Sequence, residues 1–500
     1  MNTAANICFR AIQFGSTFII VPLVLNYFGK EICGIYAAIV AISVLFSFLG
    51  TAISMSLVRF IPFHSKRRHS DDLSAILTTF SLCSALIYIL LGCCMLMLPS
   101  IGWERLNVAP ALAPLATKVT RIMGICIMLQ FMQPIVSGIL DGLERFVLRN
   151  VISLPMLLAS PIAYIVTSRC HGDLGLYTLL IQICNITSMG FGFFLCLWLL
   201  PCRWRLLLPS RSLFKRLWRF NLFIVVNRVA YQIMNTTDTL ILQTVCGTAT
   251  VTEYHVAQKT QHFSESVLAL PLRALLPSQA GAFADNDFSF IEKLNFLGSL
   301  AYSILIVPPL VALLVIIDIF ITLWVGPDFS NSAPGAALFI ISAICTAPLK
   351  VISHSLVAKG EVRLLGWTRF VYAFVNLILS IWFVRYWGII GVIVPTVLFW
   401  ILVNPISVIW LARRQGLIGG PELVKLLIPV PAILILASLC RWVCRGLLTA
   451  ESWPGFFVSY LATYAVIMVL FCIICSMAYP RALPEVVSVV INAFRQRTDR

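Results

Sequence analysis

Charged residues are scarce in this sequence, and acidic residues are the scarcest of them. Asp, Glu, Lys and Arg together make up 11% of the 500 residues, and only 20 residues are Asp or Glu. Soluble domains contain roughly 25% charged residues. Hydrophobic residues instead reach 60%, and the mean hydropathy is +0.95. This composition excludes a disordered chain, a secreted disulfide scaffold and a cytosolic enzyme, and it predicts a protein whose solvent is lipid.

The sequence also lacks the short motifs of common enzyme chemistry. It contains no phosphate-binding glycine loop, no paired-cysteine zinc pattern, no His-Glu-x-x-His and no nucleophile elbow. Most of the 16 cysteines lie in apolar runs, as Cys93, Cys94 and Cys126 do. Free cysteine packs there as a small hydrophobic residue. We therefore expect no enzymatic activity, no catalytic residue, no cofactor and no metal, and the N-terminal stretch is not expected to be a cleavable signal peptide.

Apolar runs long enough to cross a bilayer recur along the whole chain. A spanning helix needs about 20 mostly apolar residues. Fourteen spans are predicted, at about residues 5–27, 34–58, 73–98, 116–139, 148–168, 175–199, 218–243, 252–277, 294–317, 333–357, 364–384, 388–411, 425–446 and 455–478. No loop between them is long enough to form a domain.

The distribution of basic residues predicts which ends of these spans face the cytoplasm. With the N-terminus inside, the expected cytoplasmic segments hold 18 Lys and Arg residues and the external loops hold six. Cytoplasmic loops collect Lys and Arg, so both termini are predicted to face the cytoplasm of a bacterial inner membrane. The same rule explains the net charge of +16 without nucleic acid as a partner. Residues 484–500 are expected to form an interfacial helix.

An internal repeat is visible at a shift of 218 residues. The shift places six distinctive residues on each other: Arg10 on Arg228, Gly29 on Gly247, Tyr36 on Tyr254, Ser137 on Ser355, Gly142 on Gly360 and Arg145 on Arg363. The sequence thus predicts an all-α polytopic membrane protein with two six-helix bundles, related as parallel repeats, plus two C-terminal helices. The expected bundles are residues 1–200 and 218–412, joined by a basic cytoplasmic linker at 201–217. The two additional helices take 413–480, and a cytoplasmic tail takes 481–500.

The first two spans of each repeat carry polar stripes. In span 7, for example, Arg228, Gln232 and Asn235 share one helix face. Polar residues inside spans are costly and suggest a functional role, so we interpret these stripes as the wall of a hydrated cavity. The substrate-binding candidates are Arg10, Gln13, Arg228, Gln232, Asn235, Lys259 and His262. The candidates for ion coupling are Asp238 and Glu265.

Structural roles remain open for the same residues. Arg10 and Arg228 could extend to the cytoplasmic interface, because both lie only a few residues into their spans. Asp238 could pair with an arginine, and the histidines could be satisfied by bonds between helices. Three further basic residues near expected cytoplasmic ends could be positive-inside residues and nothing more: Lys350, His354 and Arg369. Lys350 is also a candidate cation of the cavity.

The charge of the proposed cavity is informative about its ligand. Cations such as Arg10, Arg228 and Lys259 outnumber the acids Asp238 and Glu265. Arginine binds phosphate in a bidentate manner. A basic cavity within lipid therefore favours a ligand with an anionic head and a hydrophobic tail. A cavity for lipophilic cations would instead be acidic.

Several segments resemble bacterial polysaccharide flippases of the Wzx (O-antigen/oligosaccharide) type, in the multidrug/oligosaccharidyl-lipid/polysaccharide transporter superfamily. They are Val21–Leu25, Gly29–Glu31, Gly34–Tyr36, Ser56–Phe60, Gly138–Arg145, Asn235–Leu242, Tyr254–Lys259 and Leu323–Phe329. The resemblance covers about residues 1–415. It implies that the chain flips an undecaprenyl-pyrophosphate-linked oligosaccharide across the cytoplasmic membrane by alternating access. The implied partners are that glycolipid, membrane lipid and glycan polymerase or assembly proteins.

Three alternative functions remain. A drug or cation antiporter of the same superfamily should have an acidic cavity. A membrane-embedded glycan polymerase or ligase should have a large external loop, whereas the longest one, about residues 99–115, contains only Glu104 and Arg105 as charged residues. A flippase for lipid-II-type precursors would share the fold and the mechanism, and motifs alone do not separate it.

Overall fold

A computed structural model of the chain describes residues 2–45, 48–66, 70–200, 204–207, 210–284, 287–361, 363–444 and 452–478. The side chains of some residues within these ranges, Arg10 among them, are not described. The expected interfacial helix at 484–500 lies outside the described residues. Within the described ranges the backbone forms α-helices joined by short turns, without any strand, which confirms the all-α class.

The chain divides into two compact units, Met1–Thr252 and Glu253–Arg500. The first unit contains α1 (Asn2–Phe28), α2 (Lys30–Leu45), α3 (Phe48–Lys66), α4 (Ser70–Met97), α5 (Ala113–Leu129), α6 (Gln133–Gly142), α7 (Phe146–Ile152), α8 (Leu154–Arg169), α9 (Leu174–Leu199), α10 (Arg211–Cys246) and the first turn of α11 (Thr248–Ala284). The second unit contains the rest of α11 and then α12 (Phe288–Val315), α13 (Ile317–Val325), α14 (Ala333–Thr346), α15 (Lys350–Lys359), α16 (Arg363–Trp387), α17 (Ile389–Leu398), α18 (Asn404–Arg414), α19 (Gly420–Leu427), α20 (Pro429–Cys444) and α21 (Trp453–Ala478). The expected domain boundaries at 200 and 218 stay a prediction.

Ten helical segments of the described residues are long and apolar enough to cross a membrane, and a bent pair at residues 12–45 would make eleven. These ten coincide with predicted spans 3–6 and 9–14. The other four predicted spans are also helical, as α1, α2 with α3, α10 and α11. The polytopic class is therefore confirmed. The described parts of those four spans do not pass the same test of length and hydropathy as single straight helices.

Two glycines that the repeat aligns make equivalent turns. Gly29 has φ +80° between α1 and α2, and Gly247 has φ +86° between α10 and α11. Glycine adopts this left-handed conformation without steric cost, so it can end one helix and let the next begin at once. The α1–α2 pair bends by 120° at this point. The first copy of the repeat thus begins with a sharply turned helix pair, and a left-handed glycine occupies the equivalent position of the second.

The fourth span of each repeat is interrupted at equivalent places. A 3₁₀ turn at Gln130–Met132 separates α5 from α6, and another at Ala347–Leu349 separates α14 from α15. Gln133 and Lys350 are the first residues after the two turns. A π-helical turn, Phe399–Val403, also separates α17 from α18. Such irregular turns leave helical hydrogen bonds incomplete and often mark functional sites.

The α10–α11 turn packs tightly on the start of α2 within the first unit. A β-carbon added to Gly34 would lie 1.9 Å from the main-chain oxygen of Thr248. The Thr252 hydroxyl donates to the Lys30 carbonyl at 2.6 Å. Nearby, Gln243 Nε2 donates to the Leu106 carbonyl at 2.8 Å in the loop between α4 and α5. Main-chain contact this close requires glycine at position 34.

Two helices begin with aspartate caps outside the spans. Asp173 accepts from the Leu176 N–H at 3.1 Å and from Lys118 Nζ at 2.6 Å, and Asp287 accepts from the Phe290 N–H at 3.0 Å. Partial burial alone would raise the pKa of Asp173, but the bonds from Lys118 and Leu176 outweigh it and lower the pKa. The bond from the Phe290 N–H lowers the pKa of Asp287.

The buried core and the exposed faces differ in composition. In the first unit the core between α3, α4 and α6 is aliphatic and includes Leu57, Ile76 and Ile139, each fully buried. On the outside of the second unit, α16 exposes aromatic rings near both of its ends. Trp367 lies near the start, and Tyr386 and Trp387 lie at the end. Exposed rings at the ends of an apolar helix are typical of the membrane interface.

Candidate functional site

In the first unit, the polar stripe of α10 contacts α3. Arg228 is half-buried, and its Nη2 atom lies 3.4 Å from the Met55 sulfur. Asn235, two turns further along, donates from Nδ2 to the Tyr231 carbonyl at 2.7 Å, while Tyr231 itself is exposed. This face therefore presents a guanidinium and an amide about 10 Å apart along α10.

Arg59 joins this face, although the sequence argument did not select it. Arg59 is exposed on α3 and lies four residues after Met55, the residue that Arg228 touches. Residues four apart share a helix face and are about 6 Å apart along the axis. Met55, which Arg228 of α10 contacts, thus shares a face of α3 with a second arginine. The Ser56–Phe60 motif contains Arg59, but a motif does not show which helix packs against it.

The remaining stripe residues of α10 are internal. Gln232 is buried and donates to the Thr236 hydroxyl. Asp238 is 1% exposed, and it is engaged by other groups. Gln232 and Asp238 therefore contribute to the buried packing of α10 and do not face an open space. On α1, Gln13 is exposed, and the side chain of Arg10 lies outside the described set.

In the second unit, the predicted residues of α11 separate into two environments. Lys259 and His262 are exposed, whereas Glu265 lines a cleft between α11, α14 and α15. The same cleft is lined by Gln261, Phe339, Ser342, Ala343, Thr346, Lys350 and Trp400. The free space between these side chains admits about one water molecule. Of the predicted site residues, only Glu265 belongs to it.

Lys350, which the sequence left open as a positive-inside residue or a cavity cation, is the second charged residue of this cleft. Its Nζ atom lies 5.3 Å from the centre of the Trp400 ring, and Glu265 and Arg369 are the charged groups that act on it. Glu265 Oε1 accepts from Gln261 Nε2 at 3.2 Å. None of the ion pairs among the described side chains joins Lys350 to Glu265. The carboxylate and the ammonium therefore share a polar space without direct contact.

The cleft lies where two irregular turns meet. Lys350 follows the 3₁₀ turn Ala347–Leu349, and Trp400 belongs to the π turn Phe399–Val403. One turn along α15, His354 has a buried Nδ1 atom without a hydrogen-bond partner among the described residues. In membranes, irregular backbone is tolerated where it is enclosed in protein or lines a hydrated space. Within the described chain, no three His, Cys, Asp or Glu side chains converge on a metal-ion position.

Comparison with solved structures defines the class. The lipid II flippase MurJ in an inward closed conformation matches with a TM-score of 0.71 at 16% identity, covering 96% of this chain and 98% of that chain. An inward-facing multidrug resistance MATE transporter of the MOP superfamily matches with a TM-score of 0.62 at 16% identity, covering 81% and 94%. An outward-facing MATE transporter matches with a TM-score of 0.52 at 17% identity, covering 83% and 94%. The chain therefore has the fold of the MOP transporters.

The family follows from the sequence itself. The model of the polysaccharide biosynthesis protein family matches residues 1–281, and the chain belongs to this family. A search of curated protein sequences finds no match. The resemblance to a flippase-type family is thus confirmed. Family and fold together support a membrane transporter of the MOP superfamily.

Proposed function

We propose that the protein flips a polyprenyl-pyrophosphate-linked oligosaccharide across the bacterial cytoplasmic membrane, for surface polysaccharide biosynthesis. The transport cycle would be alternating access, with both termini in the cytoplasm. The undecaprenyl form of the glycolipid and glycan polymerase or assembly proteins would be the partners. Family membership supports the polysaccharide pathway, and the fold supports transport.

The observation that carries the proposal is the pair Arg59 and Arg228 beside Met55. Two guanidiniums offer paired donors to the two phosphates of a pyrophosphate, which a single lysine could not supply. A methionine beside them adds an adaptable apolar contact for the first atoms of a prenyl chain. A lipophilic cation would meet like charge on this face.

The other residues selected from the sequence remain candidates as well. Those for substrate contact are Arg10 and Gln13 of α1, Lys259 and His262 of α11, and the amides Gln232 and Asn235. Asp238 and Glu265 remain the candidates for ion coupling.

Genetic complementation tests this function. Deleting the gene should abolish surface glycan and leave lipid-linked repeat units on the cytoplasmic leaflet. The wild-type gene should restore export, whereas Arg59→Ala and Arg228→Ala should each reduce it at least about tenfold, as expected for loss of about 1.4 kcal/mol or more of binding. Arg385→Ala, which removes an exposed arginine at the end of α16, is the matched control and should restore export fully.

Two outcomes would contradict the proposal. Normal glycan export in the double variant Arg59→Ala/Arg228→Ala, at wild-type protein levels, would remove the arginines from the mechanism. Normal glycan export in the deletion strain, combined with increased sensitivity to cationic drugs, would instead indicate the antiporter activity of the multidrug branch.

A further inference from the structure

The residues 204–207, which follow α9, are packed against the first unit. The side chains of Trp204 and Leu207 lie on its aliphatic core between α3, α4 and α6. The centre of the Trp204 ring is 5.9 Å from that of the Phe193 ring, so the chain turns back along the last turns of α9. These residues are part of the predicted linker 201–217. This described part of the linker therefore belongs to the fold of the unit.

Hydrogen bonds to α4 fix the orientation of these residues. Trp204 Nε1 donates to the Thr78 hydroxyl at 3.0 Å. The same hydroxyl has the carbonyl oxygens of Ser74 and Arg205 as acceptors, at 2.8 Å and 3.3 Å. The Arg205 N–H in turn donates to the Ser74 hydroxyl at 3.4 Å. Ser74 and Thr78 are both buried. Two buried side chains of α4 thus determine which way the linker residues point.

The side chains that face outward combine an apolar residue with a base. Leu206 is 86% exposed, and its neighbour Arg205 is exposed as well. In the last turns of α9, Trp198 is 90% exposed and shares a helix face with the exposed rings of Phe191 and Phe194. An exposed tryptophan at the end of an apolar helix is typical of the membrane interface. The environment next to Leu206 is therefore the membrane surface.

Basic residues continue along the linker and into α10. The sequence contains no acidic residue between Asp173 and Asp238. Six basic residues lie between positions 203 and 219: Arg203, Arg205, Arg211, Lys215, Arg216 and Arg219. Arg211 and Lys215 are exposed and four residues apart, so they share a face of α10. Arg211 follows Leu206 by five residues, which span at most about 18 Å. We term the four exposed residues the linker surface: Arg205, Leu206, Arg211 and Lys215.

Two acidic residues lie near the contact with α4. Asp71 and Asp72 are exposed in the first turn of α4, about one turn before Ser74. Three bases stand shortly before them in the sequence: Lys66, Arg67 and Arg68. Among the described side chains, no ion pair joins an acid to a base of the linker surface. The linker surface therefore keeps a positive charge that is available to an anionic partner.

We propose that the linker surface binds the headgroups of anionic phospholipids in the leaflet beside it. Arg205 and Arg211 bind the phosphate groups, because a guanidinium offers paired donors to phosphate oxygens. Leu206 inserts among the upper atoms of the acyl chains and adds an apolar contact. Clusters of basic residues beside a membrane span attract anionic lipid in the same way. This role goes beyond the proposed transport function and does not depend on the identity of the substrate.

The anchor on α4 distinguishes this surface from a loose basic tail. Because Trp204, Thr78 and Ser74 already order the segment, lipid binding needs little further loss of conformational freedom. The same hydrogen bonds keep Arg205 and Leu206 on the outer side, where lipid can reach them. Through bound headgroups, the segment between the two sequence repeats is held at the membrane surface.

Quenching of Trp198 fluorescence tests the lipid preference. The full-length chain is placed in nanodiscs, one copy per disc, with phosphatidylcholine in excess over phosphatidylglycerol. Bromine atoms are carried by one lipid or the other, and the Trp198 signal is the difference between each protein and its Trp198→Phe counterpart. Per brominated molecule, phosphatidylglycerol should quench at least about threefold more strongly than phosphatidylcholine. This quenching ratio measures how far anionic lipid is enriched beside the end of α9.

Removing the charges should remove the enrichment. Arg205→Gln/Arg211→Gln should lower the quenching ratio to about one. Arg169→Gln is the matched control, because it removes an exposed arginine at the end of α8, which adjoins the start of α9 and is a helix length away from Trp198. The control should keep the wild-type ratio.

Removing the anchor should act without any change of charge. Thr78→Val takes away the acceptor of Trp204 Nε1 and the donor to the Arg205 carbonyl. The quenching ratio should fall at least about twofold, because the linker residues no longer keep one orientation. Thr78→Ser retains the hydroxyl and should keep the wild-type ratio. A flexible basic linker would not respond to Thr78→Val.

Several results would overturn the proposal. A quenching ratio of one in the wild type would show that anionic lipid does not occupy the surface. An unchanged ratio in Arg205→Gln/Arg211→Gln, or in Thr78→Val, would remove the charges or the anchor from the explanation. Loss of the enrichment on adding a small fraction of undecaprenyl pyrophosphate would assign the surface to the substrate. The quenching ratio does not involve glycan export, so this proposal and the proposed function can fail separately.

Discussion

The tight contact between Gly34 and the α10–α11 turn gives a sharp prediction. In Gly34→Ala the new methyl group would lie 1.9 Å from the Thr248 carbonyl oxygen, so α2 and the turn must move apart. Overpacking of this kind costs about 1–3 kcal/mol. The separation also breaks the Thr252–Lys30 hydrogen bond, which is worth about 1 kcal/mol. The helix propensity of alanine returns about 0.5–1 kcal/mol. The expected net loss is about 2 kcal/mol.

Gly15→Ala is the matched control for this substitution. Gly15 also lies inside a helix, but a β-carbon there meets nothing within 4 Å. This variant should gain only the stability that the higher helix propensity of alanine contributes, about 0.5–1 kcal/mol. The two alanine variants should therefore differ by about 3 kcal/mol, which corresponds to about 3 °C in thermal unfolding of the purified protein.

A double variant separates this explanation from a side-chain clash. The atom that opposes the methyl group belongs to the main chain, so Gly34→Ala/Thr248→Ala should unfold at the same low temperature as Gly34→Ala. Recovery of stability in the double variant would show that the Thr248 side chain is the obstacle. Equal unfolding temperatures for Gly34→Ala and Gly15→Ala would refute the close packing itself.

Two further predictions concern the loops. Asp173→Asn keeps a helix cap but removes its charge and the ion pair with Lys118, and it should cost about 0.5 kcal/mol near pH 7. Folding lowers the pKa of Asp173, so the contribution of its charge is fully present above the unfolded pKa and disappears as pH falls through the folded pKa. Thermal unfolding should therefore show the two proteins converging in acid. A gap that persists in acid would assign the effect to something other than this charge. Gln243→Leu removes the bond to the Leu106 carbonyl and should speed proteolysis within residues 98–112 without affecting cleavage elsewhere; an unchanged cleavage rate would show that the bond does not hold this loop.

Most of the fold could be predicted from the sequence, because spans are encoded in local composition. Ten predicted spans coincide with apolar helices, and the glycines aligned by the repeat, Gly29 and Gly247, both adopt left-handed turns. The interruptions at Gln130–Met132 and Ala347–Leu349 were not predicted. A 3₁₀ turn inside an apolar run changes the path of the helix without changing its hydrophobicity, so hydropathy does not reveal it.

The candidate site was less accessible to sequence reasoning. The helical periodicity of polar residues identified Arg228 and Glu265, because it shows which residues share a face of one helix. It could not find Arg59 or place Lys350 beside Glu265, because these placements depend on which helices pack together. Arg59 matters through Met55, which contacts a residue 173 positions away. Lys350 lines a cleft with Gln261 and Glu265 of α11, and no pattern within one span carries that information.

The exposed rings of α16 set a length scale for the second unit. Trp367 and Trp387 are 20 residues apart, which corresponds to about 30 Å along a helix. This distance equals the usual thickness of the hydrocarbon layer, about 30 Å. With an indole ring near each end, the length of α16 matches an ordinary bilayer. A thinner bilayer would force the helix to tilt or its rings to leave the headgroup region. A change in membrane thickness would thus act on the second unit through α16 alone.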